Sequence, residues 1–118
     1  MMRIDQLLVA RGNAYLALNQ PDQAKAAFES ALKTHPNDGA ALLGMASHAF
    51  SSRDMEAGQR YADEAVAKDP KNPDVWMYKG MLAGRLGKQD VALVAYDQVL
   101  ALKPNHRSAH IEKAYLEI

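Results

Sequence analysis

Two histidines four residues apart, His106 and His110, are the most suggestive pair for chemistry in this sequence. On a helix, that spacing sets both imidazoles on one face, where they could share a metal ion. No third ligand has an obvious placement, since Glu112 and Glu117 follow at unremarkable intervals. His110-Ile111-Glu112 has the H-x-E form used by zinc deaminases, but that chemistry also needs a cysteine pair, and the chain has no cysteine. The same absence removes thiol nucleophiles, disulfides and cysteine zinc sites together. Ser47 beside His48 offers a hydroxyl and a base. Neighbours on a helix point about 100° apart, however, so His48 reads as a packing residue. Gly80, Gly84, Gly87 and Lys88 imitate a phosphate loop without its spacing or the hydroxyl residue after its lysine. As a membrane-helix contact motif the same glycines fail, because Arg85 and Lys88 interrupt the apolar setting. The expectation is therefore a non-catalytic protein with no cofactor and no metal.

Residues with so little chemistry of their own direct attention to what positions them. The chain has 118 residues, about one domain's length, and 48% of it is hydrophobic, ample for a core. Acidic and basic residues balance at 14 each. A neutral chain without a basic cluster has no field to steer it onto nucleic acid or an anionic membrane surface. No apolar run approaches the ~20 residues of a membrane span. The first residues enter a helical pattern directly, without the apolar core of a signal peptide. The last ones, Tyr115-Leu116-Glu117-Ile118, end inside a helical pattern without a stop signal. A piece of a longer protein is the expectation, with the compartment, cytoplasmic or periplasmic, left open.

Pro36, Pro70 and Pro104 recur every 34 residues. Setting each at position 32 of a unit divides the chain into 5–38, 39–72 and 73–106, with a partial unit or capping helix at 107–118. Other positions agree with that register. Position 8 carries Gly12, Ala46, Gly80 and Ala114; position 20 carries Ala24, Gly58 and Ala92. Small residues there would let two antiparallel helices approach closely. Position 24 carries Phe28 and Tyr96, bulky enough to fill space between units, but Ala62 in the middle unit, which is expected to pack most loosely. The prolines close the second helix of each unit, where they cannot continue the hydrogen-bond ladder. The pattern predicts seven helices, at 3–18, 22–34, 39–52, 55–68, 73–86, 89–102 and 107–118, joined by short turns such as Asn19-Gln20-Pro21 and Ser52-Arg53-Asp54. No strand pattern intervenes. A single pair of such helices cannot bury its apolar face alone, so stability must come from stacking neighbours.

In this register the chain resembles the tetratricopeptide repeat family. The residues that carry the resemblance are Trp76, Gly80, Ala83, Leu86-Gly87, Ala92, Tyr96 and Pro104 in the third unit, and Leu8, Gly12, Tyr15, Ala24, Phe28, Ala31 and Pro36 in the first. Position 7, usually leucine in that family, departs as Arg11, Met45, Lys79 and Lys113. The resemblance implies an all-α fold: a right-handed α-α superhelix of three helix pairs plus a C-terminal helix. First helices would line a concave face and second helices form the back. It also implies a module that holds peptides or partner proteins. The stretches ARGNAYLALNQPDQAKAAFESALK and AYDQVLALKPNH further resemble long bacterial tetratricopeptide lipoproteins of exosortase and exopolysaccharide systems. That likeness implies the periplasm or cell envelope.

The family register turns positions 2, 5, 9, 12 and 13 of each first helix into the groove. Position 5 holds Val9, Leu43, Met77 and Ile111; position 9 holds Asn13, Ser47, Met81 and Tyr115. Position 12 holds Leu16, Phe50, Gly84 and Ile118, and position 13 brings Arg85. The result is a largely apolar stripe with Arg85 and Asp74 at its side. Relatives that grip a peptide's terminal carboxylate do so with a basic and polar clamp. Val9, Leu43 and Met77 stand where such a clamp would need polar groups, so none is expected. The stripe suits an apolar peptide or an amphipathic helix of a partner protein, with the methionines adapting to its shape. The alternative is a structural segment of a longer scaffold, in which the stripe is covered by neighbouring repeats or by a second copy. The apolar Ile111, Tyr115 and Leu116 would then support self-association through the C-terminal helix.

Overall fold

A computed structural model describes residues 3–117, so Ile118 lies outside the described residues. The described residues form seven α-helices and no strand: α1 (Ile4–Ala17), α2 (Pro21–Thr34), α3 (Gly39–Ser51), α4 (Met55–Lys68), α5 (Pro73–Arg85), α6 (Gln89–Leu102) and α7 (Arg107–Leu116). Four of them begin on a side chain that accepts from the free amides of the first turn. Asp38 takes those of Ala40 and Ala41, Asp54 that of Ala57, Asn72 that of Asp74, and His106 Nδ1 that of Ala109. Pro21, expected in a loop, is instead the first residue of α2. A ring that pre-sets φ and lacks an N–H costs nothing at that position.

Each first helix of a complete pair ends in the same way. Asn19, Arg53 and Gly87 take φ of 58°, 64° and 75°. The next amide then reaches back five residues, from Gln20 to the Tyr15 carbonyl, Asp54 to Ala49 and Lys88 to Ala83, each at 2.8 Å. These bonds absorb carbonyls that the helix end leaves without a partner. Second helices stop two residues before Pro36, Pro70 and Pro104.

The chain divides into two compact units, the first ending at Asp69 and the second beginning at Pro70. In the first unit, Val9, Ala24, Phe28, Ala31, Ala41 and Met45 form a buried cluster, flanked by Leu8, Tyr15, Leu16, Leu32 and Tyr61. The Phe28 ring is fully buried against two glycines: a Cβ on Gly12 would stand 2.5 Å from it, and one on Gly44 would stand 2.4 Å. The bulky residue at position 24 thus joins its own pair to the next first helix, and the glycines serve to seat the ring. In the middle pair, where Ala62 removes that ring, an aromatic arrives from the opposite helix. Phe50 of α3 lies on Gly58 of α4, where a Cβ would come within 2.6 Å. Ala46, Ala49, Ala62 and Ala65 are also buried in this pair, whose ring comes from position 12 in place of position 24.

The second unit repeats the first arrangement. Tyr96 of α6 seats on Gly80 of α5, with a hypothetical Cβ 2.6 Å from the ring, beside the buried Ala83 and Ala92. Burial, and secondarily the charge of Glu112, push the Tyr96 hydroxyl's pKa above its ordinary value. Met77 and Leu116 pack on the same cluster, which fastens α7 to the α5–α6 pair. Lys113 of α7 adds an ion pair to Asp97 of α6 at 2.7 Å.

Candidate partner-binding surface

The structure gives the two most suggestive histidines structural work. Trp76 Nε1 donates to the Pro70 carbonyl at 2.7 Å, and His110 Nε2 stands 2.8 Å from the Pro104 carbonyl. A carbonyl only accepts, so His110 carries its proton on Nε2 and does what Trp76 does one repeat earlier. His106 Nδ1 accepts the Ala109 amide, which places its lone pair in a helix cap. Both imidazoles therefore engage backbone. Among the described residues, no three or more His, Asp or Glu side chains are grouped to hold a metal ion.

The stripe residues fall into different environments. In the first unit, Val9 is 8% exposed and belongs to the core cluster, with Leu16 packed on its edge. Leu43 and Ser47 are half-buried, Asn13 is exposed, and half-buried Phe50 spends its ring on Gly58. In the second unit, Met77 leans on the Ala83–Ala92–Tyr96 cluster. Met81 is 42% exposed, Ile111 46% and Tyr115 70%, while Arg85 and Asp74 are exposed on α5. The most exposed of these side chains are thus Asn13 in one unit and Asp74, Met81, Arg85, Ile111 and Tyr115 in the other.

Two features escaped the reading of the sequence. One is a shallow depression on the α5–α6 pair, lined by Trp76, Lys79, Asp90, Val91, Val94 and Ala95. Val91 and Val94 stand at positions 19 and 22, where the other repeats carry Gln23 and Ala57, then Ala26 and Arg60. That contrast was available from the repeat alignment. The other is a buried acid, Asp5, whose side chain has no exposure at all. Arg3 Nη2 lies 3.2 Å from its Oδ2 and His35 Nδ1 lies 3.4 Å from its Oδ1. The nearby Asp38 carboxyl, then Arg3 and His35, draw the Asp5 carboxyl below its ordinary pKa against the opposing effect of burial. Its sequence signal was weak: Asp5, His35 and Asp38 occupy positions 1, 31 and 34 of one repeat, adjacent only once the repeat closes. Among the described residues, no helix is long and apolar enough to cross a membrane.

Comparison with known proteins agrees with this arrangement. Family models described as tetratricopeptide repeat match residues 15–82 and 73–106. Cellulose synthase operon protein C of Komagataeibacter xylinus is 39% identical over 74 residues, covering 61% of this chain and 6% of that protein. The CTR9 homolog of Arabidopsis thaliana is 31% identical over 111 residues, covering 93% of this chain and 10% of that protein. The chain thus spans no more than a tenth of the length of these two relatives. Among solved structures, the first TPR of Spaghetti (RPAP3) bound to the HSP90 peptide SRMEEVD superposes with a TM-score of 0.84. It is 22% identical, over 97% of this chain and 93% of that one. PilW, a type IV pilus biogenesis factor, superposes with a TM-score of 0.82 at 21% identity, over 99% of this chain and 55% of that one. At such identities the likeness is one of fold.

Proposed function

Because the chain belongs to the tetratricopeptide repeat family, we propose that it is a non-catalytic protein–protein interaction module whose first helices take an apolar peptide or amphipathic helix of a partner. The observation that carries this reading is the set Met81, Ile111 and Tyr115, large apolar side chains that are 42%, 46% and 70% exposed on α5 and α7. Covering such a side chain contributes about 1.5–3 kcal/mol before ordering costs are subtracted. Arg85 would orient an acidic group at the edge. A peptide occupies the RPAP3 repeat domain, which supports the same use of this fold. The absence of polar groups at Val9, Leu43 and Met77 argues against a carboxylate clamp.

The test is selection from a displayed library of amphipathic helical peptides, followed by fluorescence polarisation of the selected sequences. Met81→Glu and Tyr115→Ala should each weaken binding at least about tenfold, a loss of ~1.4 kcal/mol, with unchanged helicity. The acidic peptide SRMEEVD should bind no better than its scrambled form. Equal binding of selected peptides to the variants, or saturable binding of SRMEEVD that depends on Arg85, would overturn the apolar-partner reading.

A second reading has its own support: the chain is a segment of a longer scaffold, without an autonomous ligand. The matched relatives are far longer than this chain. The Ile111 and Tyr115 face of α7 would then be covered by protein of the same kind, and in isolation by a second copy.

A further inference from the structure

Each complete helix pair seats an aromatic ring on a glycine of the facing helix, and the residue at position 8 goes with the helix that supplies the ring. In the first pair position 8 is Gly12, and the second helix supplies Phe28 from position 24. In the third it is Gly80, and the second helix supplies Tyr96. A Cβ on Gly12 would stand 2.5 Å from its ring and one on Gly80 2.6 Å, so alanine at position 8 and a ring at position 24 exclude each other. The middle pair has Ala46 at position 8 and Ala62 at position 24, 0% and 1% exposed. It draws its ring from the first helix instead, as Phe50 on Gly58. Glycine with a ring, or alanine with alanine, are the two ways in which this chain closes a pair.

By register α7 is a first helix, and one side of it is fixed. Leu116 packs on the Ala83–Ala92–Tyr96 cluster, Ala109 is fully buried, and Lys113 reaches Asp97 of α6. Ala114, two residues before Leu116, lies about 200° round the helix from it and is exposed. Ile111, the counterpart of the buried Val9, is 46% exposed less than one turn earlier. Because position 8 is alanine here, the helix that fits beside it is of the α4 kind, without a ring at position 24. Charge sets its direction. In the complete pairs the start of the second helix lies beside the end of the first, Gly58 against Phe50 and Ala92 against Ala83. At that end α7 carries Glu117, where the other first helices carry Tyr15, Ala49 and Ala83. An antiparallel helix brings its electropositive N-terminal end to this carboxylate, whereas a parallel one brings its electronegative end.

We propose that the Ala114 face of α7 docks an antiparallel amphipathic helix of a partner protein, one that sets alanine, and not an aromatic ring, opposite Ala114. This rests on the scaffold reading, in which protein of the same kind covers α7, and names the covering helix by its chemistry. Its seam is that of α4, where Gly58, Ala62, Ala65 and Val66 are buried at successive turns. Helices built like α2 or α6, with Phe28 or Tyr96 at the same place, are excluded by the Ala114 methyl.

The test titrates the intact chain with synthetic peptides and follows the Ala114 methyl resonance. One peptide carries residues 54–68 of this chain, the α4 sequence with its cap, and a second carries the same residues with Ala62→Phe. The unaltered chain should bind the first at least about fivefold more tightly, the lower end of what overpacking costs. Ala114→Gly should reverse the preference, read as a ratio within that variant so that any loss of α7 helicity cancels. Ala114→Glu should abolish both, which separates docking on α7 from exchange with the chain's own α4. If Ala114→Gly unfolds α7, the ratio in the unaltered chain decides alone. No response of Ala114 to either peptide would sink the scaffold reading of α7 together with the docking. Equal binding of the two peptides would spare that reading and overturn the requirement for alanine. Self-association of the chain that Ala114→Glu removes and the peptides do not disturb would overturn the partner helix in favour of a second copy.

Discussion

At the scale of residues, glycine at two places performs opposite services. Gly44 seats the Phe28 ring, and a methyl there would stand 2.4 Å from ring carbons with no room to retreat, since the ring is fully buried. Gly84 has nothing within 4 Å of where a Cβ would lie. Both lie inside helices, where alanine is favoured by about 0.5–1 kcal/mol over glycine. Gly84→Ala should therefore raise stability by about that amount. Gly44→Ala should lower it by about 1–3 kcal/mol, because overpacking outweighs the helix gain. Urea unfolding midpoints of the two variants, compared with the unaltered chain, decide the matter. A stabilising Gly44→Ala would mean that Phe28 can move aside. Sequence reading took Gly12 and Gly80 as sites of close helix approach; what they leave room for is an aromatic ring, a distinction that requires side chains in place.

At the scale of elements, the 34-residue period located all seven helices because proline, small residues and aromatics recur together and each has a separate steric reason. It could not show which helix supplies the ring in the middle pair. Phe50 was assigned to the groove by register alone, whereas its ring lies on Gly58. The partner surface was less legible for the same reason: a face is named by position, but exposure depends on whether the side chain lies flat, as with Val9 and Met77, or stands free, as with Met81. Turn chemistry repeats more faithfully. Position 15 needs a left-handed residue three times, and the chain uses Asn19, Arg53 and Gly87. Arg53 at φ 64° bears the largest penalty, about 1–2 kcal/mol for a residue with a Cβ. Part of any gain from glycine is offset by about 0.4–1 kcal/mol of unfolded-chain entropy. Arg53→Gly should accordingly stabilise by roughly 0.5–1 kcal/mol, seen as a higher thermal midpoint. A lower midpoint would show that the arginine side chain returns more than its backbone loses.

At the scale of the whole molecule, the question is whether the α7 face serves a ligand or a neighbour. Position 8 is buried in every complete repeat, as Gly12, Ala46 and Gly80, because the repeat's own second helix covers it. In α7 the same position, Ala114, is exposed, next to Ile111 and the 70% exposed Tyr115. A small residue between two large apolar ones is the surface that a second-helix partner elsewhere in the chain accepts. If covering that face is its main use, sedimentation equilibrium of the isolated chain should show association that grows with concentration. Tyr115→Glu and Ile111→Glu should return it to monomer, while Arg53→Gly should leave association unchanged. Near-neutral net charge, with 14 residues of each sign, offers no repulsion to prevent it. A clean monomer at high concentration would leave the exposed side chains of α5 and α7 to a partner of different sequence. Met81→Glu should then disrupt peptide capture without altering sedimentation, because Met81 lies on α5 and not on the α7 face.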